Sequence, residues 1–292
     1  MYLFHEAGYP LSPDLVLPCI GFGTYKTNDN ASCEAVIRRA LDVGYRYFDT
    51  ASIYETERPI GEALKKSGLS REEYMIASKV WIDEMGRGNT RAALERSLSR
   101  LQTDYLDLYL IHWPRRSALD PDWKQVQIET WQEMEDMVRE GKIRALGLSN
   151  FLPHHLDNIL EHSTIKPVVD QLELHPGYSQ EAAVSYCQQN GILLQAWSPL
   201  GRSDLMNHPF MLSLAEKYGR SVSQICIRFL VQRNIMPLVK ATSLAHMQEN
   251  VNIFDFALSR EDMQMLSCMP QTTWRGEHPD FAIPNKASNF NQ

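Results

Sequence analysis

Asp49, Tyr54, Lys79 and His112 are four side chains whose types, taken together, suit the transfer of a proton to a carbonyl oxygen. A phenol ionises near a reference pKa of about 10, and a neighbouring ammonium favours the phenolate, moving proton exchange toward neutrality. A shift of roughly two units corresponds to about 2.7 kcal/mol of differential stabilisation. Asp49 would keep Lys79 charged and oriented, and a neutral His112 would donate to the substrate oxygen. Any one of these groups alone is ordinarily a solvated loop residue, and a lone histidine after an apolar run is ordinarily a satisfied core residue. The spacing favours chemistry. Arg46 to Tyr54, Ile76 to Trp81 and Asp107 to Pro114 each begin as a short β-rich apolar run and stop at one or more of the four. A further run, Gly147 to Phe151, stops at Ser149 and Asn150. Neighbouring strands lie about 4.8 Å apart, so groups at the ends of consecutive strands converge.

The elements that would deliver them alternate along the chain. Strands are expected at Leu15 to Gly23, Tyr45 to Thr50, Tyr74 to Lys79, Leu106 to Ile111, Ile143 to Leu148, Val168 to Leu172, Ile192 to Trp197 and Met236 to Lys240. Helical spacing separates them at Ser32 to Val43, Glu57 to Lys66, Asn89 to Leu101 (with Asn89 as N-cap), Lys124 to Glu140, Pro153 to Glu161, Gln180 to Asn190, Leu212 to Tyr218 and Val222 to Arg233, and Leu244 to Ile253 follows. Gly44, Gly141 and Gly191 stand where helices must end. This order, without a linker between halves, predicts an α/β fold: a single closed (β/α)8 TIM barrel over residues 1–292, with an irregular tail at 270–292 closing the site. An open dinucleotide-binding sheet would need Gly-x-Gly-x-x-Gly opening a helix. Gly21-Phe-Gly-Thr-Tyr-Lys26 lacks the third glycine and enters a polar loop.

Composition limits the function. A net charge of −7 with scattered lysines and arginines argues against a nucleic-acid partner. Five cysteines without a C-x-x-C pair encode neither a disulfide framework nor a zinc knuckle, so a reducing cytoplasm is expected. No run has the length or apolarity of a membrane span, and the N-terminus has no leader pattern, so a soluble, unprocessed monomer is expected. His154-His155 and His162 are read as non-ligating, because adjacent histidines on a helix point to different faces; no metal is expected.

Gly44-Tyr-Arg-Tyr-Phe-Asp-Thr-Ala-Ser-Ile-Tyr54, followed by Glu57 and Gly61, resembles the first signature of the aldo-keto reductases. Ser78-Lys-Val-Trp81, Leu110-Ile-His-Trp-Pro114, Gly141 to Phe151, Gln171-Leu-Glu-Leu-His-Pro176 and Ala196-Trp-Ser-Pro-Leu-Gly201 continue that resemblance in family order from about Leu17 to Asn250. The resemblance implies a barrel that binds an extended nicotinamide dinucleotide, with Tyr54 as general acid, Asp49 and Lys79 tuning it, and His112 positioning the carbonyl. It further implies that Ser149, Asn150 and Gln171 hold the carboxamide, that Trp197 stacks on the ring, and that Ser198, Leu200 and Gly201 line the pyrophosphate. Thr24 and Asp49 would meet the nicotinamide ribose, and Gly23 the nucleotide. At the adenine end, Lys240, Thr242, His246, Glu249 and Asn250 occupy the family block, but Ala241 replaces its serine and His246 its arginine. An arginine fork grips phosphate permanently, whereas histidine is mostly neutral above about pH 6.5. NADPH use with weakened discrimination against NADH is the expectation.

Tyr25, Trp81, His112, Trp113 and Trp274, with Phe281 in the tail, are expected to wall a pocket for small aliphatic or aromatic aldehydes and ketones. Arg115 and Arg116 read as a solvated pair. A competing reading is a nicotinamide-binding regulatory or redox-sensing subunit on the same barrel with little turnover. A barrel for phosphorylated sugars would need a glycine-rich cradle, where only Gly201 stands.

Overall fold

The computed structural model describes residues 8–27, 30–271 and 278–281. Eight parallel strands close into a barrel: β3 (Gly21–Gly23), β4 (Tyr47–Asp49), β5 (Met75–Val80), β6 (Leu106–Ile111), β7 (Ile143–Ser149), β8 (Val169–Glu173), β9 (Leu193–Trp197) and β10 (Ile235–Val239). They follow one another in sequence order until β10 meets β3. The expected first strand, Leu15 to Gly23, is two elements. β1 (Gly8–Ser12) and β2 (Leu15–Pro18) form a separate antiparallel hairpin, and only Gly21–Gly23 joins the barrel.

Contacts divide the chain into two compact units. The first comprises residues 24–35, 49–171 and 274–292. Here β5, β6 and β7 pair in register, with Lys79 opposite Leu110 and Ser149 opposite Gln171 of β8. Every residue of β6 is buried, as expected of a strand covered on both faces. Its helices are α2 (Glu57–Lys66), α3 (Asn89–Leu101), α4 (Trp123–Arg139) and α5 (Pro153–His162); α1 (Asn30–Val43) contributes its first residues. α3 buries Ala93, Leu94, Ser97, Leu98 and Leu101, one helical stripe; a buried leucine contributes roughly 2 kcal/mol. Its N-cap is Gly88 at φ 80°, and Asn89, the expected cap, is the first helical residue. The glycine's left-handed backbone turns the chain into the helix at a place no asparagine side chain is needed. Gly61 of α2 lies so close to α3 that a Cβ there would sit 2.4 Å from the Leu101 carbonyl oxygen.

The second unit comprises residues 1–23, 36–48 and 172–273. β10 pairs with β9 and with β3, placing Leu238 opposite Gly21. α6 (Glu181–Gln189), α7 (Pro209–Tyr218), α8 (Val222–Gln232), α9 (Leu244–Val251) and α10 (Arg260–Ser267) surround them. α7 begins at Pro209, three residues before the expected start, since proline suits the first helical turn. α10 was not among the expected helices. Ser259 caps it by accepting from the Asp262 N–H, and the Asp262 carboxylate accepts from Lys217, Tyr218 and Ser259. Among the described residues no helix is long and apolar enough to cross a membrane.

Candidate active site

Asp49 is the last residue of β4, Lys79 the penultimate residue of β5, and His112 follows β6 directly. After Asp49 the chain enters a 3-10 turn, Ser52–Tyr54, that carries the phenol. The four side chains meet. Lys79 Nζ donates to Asp49 Oδ1 at 2.6 Å and to the Thr50 carbonyl at 2.9 Å, and lies 5.2 Å from the Tyr54 ring centroid. Tyr54 Oη is 3.3 Å from His112 Nε2. The second Asp49 oxygen accepts from Gln171 Nε2 at 2.9 Å.

Burial sets the electrostatics. Lys79 is fully enclosed; desolvation pulls its pKa below the ordinary lysine value, while Asp49 opposes that pull. Desolvation first, and the Lys79 charge second, hold His112 well below the usual histidine range. A neutral imidazole therefore faces the Tyr54 hydroxyl at physiological pH. Among the described residues its Nδ1 is buried without a hydrogen-bond partner, and the Trp81 ring meets the imidazole edge-on with 5.0 Å between centroids.

Side chains beyond the four hold this geometry. Ser52 Oγ donates to Glu84 Oε2 at 2.6 Å, and Arg96 reaches Glu84 Oε1 at 2.9 Å, clamping the turn that bears Tyr54. Burial opposes the charged form of Glu84, but hydrogen bonds from Ser52, Arg96 and the Trp81 N–H outweigh it and depress the pKa. Thr24 donates to the Asp49 carbonyl at 2.9 Å, and Thr56 contacts both Thr24 and Thr50. Neither Glu84 nor Thr56 belongs to a spacing that singles it out in sequence.

Ser149, Asn150 and Gln171 form one network with the four. Ser149 Oγ and the Asn150 N–H both donate to the Gln171 carbonyl, at 3.1 and 2.9 Å. Asn150 Nδ2 donates to the His112 carbonyl at 3.0 Å, from a backbone at φ 63° that asparagine tolerates better than most residues. Tyr25 packs its ring 5.0 Å from that of Tyr54 and is partly exposed. Trp113 is buried one residue beyond His112. Trp274 lies outside the described residues. Phe281 is 76% exposed and stacks on His278, so its described contacts are at the surface and not with the four groups.

In the other unit, half-buried Trp197 ends β9, with the Arg202 guanidinium 5.8 Å from its ring centroid. The turn after it holds Ser198, Gly201, Arg202 and Ser203 at φ 48°, 57°, 50° and 75°. Such bends turn backbone N–H groups toward an anion. Half-buried Gly23 ends β3, and half-buried Leu200 precedes Gly201. Lys240, Thr242 and His246 are exposed after β10, Glu249 is half-buried and Asn250 buried. The Thr242 carbonyl accepts from Arg39 of α1 at 2.8 Å, a contact absent from the expected set.

The two histidines expected to diverge converge instead: His154 Nε2 and His155 Nε2 lie 3.1 and 3.0 Å from Asp280 Oδ1. They stand in the first turn of α5, where their side chains reach the same tail carboxylate. The Leu152 N–H donates to His155 Nδ1, which leaves Nε2 as the protonated nitrogen and makes His155 a donor to Asp280. Burial, followed by the neighbouring His154, pushes the His155 pKa down to about 3, consistent with that neutral donor.

Residues 19–268 match the model of the aldo/keto reductase family. The chain is 40% identical over 264 residues to a glyoxal reductase of Bacillus subtilis (strain 168), covering 90% of this chain and 93% of that protein. An aldo/keto reductase from Brucella melitensis is 35% identical, with a TM-score of 0.81 over 87% of this chain and 95% of its own. A Bombyx mori aldo-keto reductase solved in complex with NADP is 32% identical, with a TM-score of 0.79 over 86% and 89% of the two chains. On these matches and on the closed parallel barrel, the chain belongs to the aldo/keto reductase family.

Proposed function

We propose that this chain reduces small aldehydes or ketones to alcohols with NADPH, Tyr54 delivering the proton and residues 1–292 acting as one barrel domain. The observation that carries the reading is the Tyr54 hydroxyl 3.3 Å from a neutral His112 Nε2, with a buried ammonium against the Tyr54 ring. When bound, the dihydronicotinamide supplies a hydride to the carbonyl carbon. His112 Nε2–H and Tyr54 Oη–H hold the carbonyl oxygen, and Tyr54 gives up its proton as negative charge develops there. Lys79, held by Asp49, stabilises the phenolate left behind. Reprotonation of Tyr54 from solvent completes the cycle, and alcohol oxidation runs the same steps in reverse.

The chemistry of the donor set fits the nucleotide. Ser149, Asn150 and Gln171 are amide and hydroxyl groups suited to a carboxamide, and Trp197 offers an aromatic face. Ser198, Leu200 and Gly201 belong to the positive-φ turn suited to a pyrophosphate. Thr24 and Asp49 would serve the ribose, Gly23 would lie against the nucleotide, and Lys240, Thr242, His246, Glu249 and Asn250 would serve the adenosine end. Tyr25, Trp81 and Trp113, with Trp274 of the tail, would wall the substrate. A monomer in the cytoplasm completes the reading; size-exclusion chromatography tests the first part.

Two measurements decide it. Loss of NADPH absorbance at 340 nm, a property of the nucleotide, is followed with a panel of aldehydes and ketones. Tyr54→Phe should cut turnover at least about a hundredfold while leaving nucleotide affinity nearly intact. Tight nucleotide binding without turnover of any carbonyl would favour the regulatory alternative, and an active Tyr54→Phe enzyme would remove the phenol from its role.

A further inference from the structure

We propose that Arg39 of α1 supplies the guanidinium that grips the nucleotide 2′-phosphate, replacing the arginine that position 246 lacks. This rests on the NADPH reading above. Arg39 Nη1 donates to the Thr242 carbonyl at 2.8 Å, which pins the guanidinium against the segment Lys240 to His246. A second bond lies alongside: Tyr45 Oη, just past the end of α1, donates to the Met247 carbonyl of α9 at 3.4 Å. Arg39 is exposed, and among the described residues no carboxylate lies within ion-pair distance of it. Its charge is therefore available to an incoming anion.

The segment's own groups leave that place to fill. Ala241 is buried and has no hydroxyl. Ser243 Oγ caps α9 by accepting from the His246 N–H. His246 is exposed and offers at most one ring N–H when neutral. A phosphate monoester carrying close to two negative charges calls for a permanent cation with parallel donors, and guanidinium presents both where imidazole presents neither. A carbonyl acceptor occupies one N–H of Arg39 and orients the plane, leaving the other donors of the fork for phosphate oxygens.

The test is titration calorimetry of the full chain with NADPH and with NADH, which lacks the 2′-phosphate, at fixed ionic strength. Arg39→Gln should weaken NADPH about tenfold or more, the range of a charge-assisted contact, and leave NADH within twofold. Arg39→Lys should recover part of the loss, and adding His246→Arg to Arg39→Gln should recover more. An unchanged NADPH affinity in Arg39→Gln overturns the proposal while leaving the NADPH reading in place. Equal weakening of both nucleotides assigns Arg39 a structural role and also overturns it. If the unsubstituted chain binds neither nucleotide, the NADPH reading itself fails and this proposal with it.

Discussion

Asp49→Asn changes one atom type at the centre of the site and tests the electrostatic frame. In the native pair Lys79 and Asp49 are 2.6 Å apart, with side chains 0% and 5% exposed. Removing one partner of such a pair costs about 3–5 kcal/mol, because the survivor stays buried and uncompensated. The Thr50 carbonyl still accepts from Lys79 at 2.9 Å, which places the expected loss near the lower end, about 3 kcal/mol at pH 7. An asparagine also sets its NH2 against either Lys79 or Gln171, both donors in the native arrangement. Without Asp49 the only large influence on Lys79 is burial, so its folded pKa falls further below the unfolded value of about 10.4. Between those two values the unfolded chain holds a proton that the folded chain lacks, so stability rises with pH, by up to about 1.4 kcal/mol per unit. The native chain has the same sign over a narrower window.

Guanidinium unfolding at pH 7, 8 and 9 is the assay. The Asp49→Asn deficit should shrink as pH rises, and Asp49→Asn/Lys79→Met should recover at least half of it at pH 7. A single variant within about 0.5 kcal/mol of the native chain, or a double variant no better than the single, would refute a buried, charge-balanced pair.

Gly61→Ala would press a methyl group to 2.4 Å from the Leu101 carbonyl oxygen and should destabilise the chain by about 1–3 kcal/mol; an unchanged denaturation midpoint would show that α2 and α3 do not touch there. His112 should stay neutral throughout the physiological range, so NMR shifts of its ring should be flat from about pH 5.5 to 8, and a midpoint near 6.5 would contradict its burial. Because the unfolded imidazole takes up a proton that folded His112 refuses, this residue removes stability as pH falls below about 6.5. Glu84→Gln should loosen the turn carrying Tyr54 and lower kcat roughly tenfold with nucleotide affinity unchanged. Native Glu84 gives stability that is full above its unfolded pKa of about 4.3 and lost as pH falls through its depressed folded value, so acid unfolding of the variant should be less steep. Equal steepness would deny the carboxylate its role.

That Asp49, Tyr54, Lys79 and His112 come together was legible because a parallel barrel imposes a strict relation between chain and space. β6, buried along its whole length, reads as an unbroken apolar run, and His112 is where that run stops. Hydrogen bonding between β5 and β6 then places Lys79 beside Leu110 without further information. Helices bounded by strong local signals were equally readable: α2 runs Glu57–Lys66 as expected from its apolar stripe. Elements defined by weaker local chemistry were not. The Ser259 cap of α10 depends on a serine and an aspartate three residues apart, a spacing too common to mark a helix by itself. β2 and β3 look like one strand, Leu15 to Gly23, because only Pro18, Cys19 and Ile20 bridge two apolar segments, and nothing in the sequence marks β1.

Contacts between side chains far apart in sequence lie beyond any periodicity. Arg39 and Thr242 are 203 positions apart, Ser52 and Glu84 are 32 apart, and His155 and Asp280 are 125 apart. Each has at least one partner in a loop or turn, where no strand register or helical period dictates the partner. The Lys240–Asn250 block carries no arginine of its own. A cation contributes to phosphate binding through its position, whichever element carries it. α1 can supply one because β10 closes the barrel against β3, the strand that precedes it, and the Arg39 and Tyr45 hydrogen bonds record that neighbourhood. The proton-transfer groups have no such freedom. Under the proposed function their separation is set by strand ends and by the turn that carries Tyr54, so they keep matching positions, whereas a phosphate grip at the surface can move between elements without disturbing the chemistry.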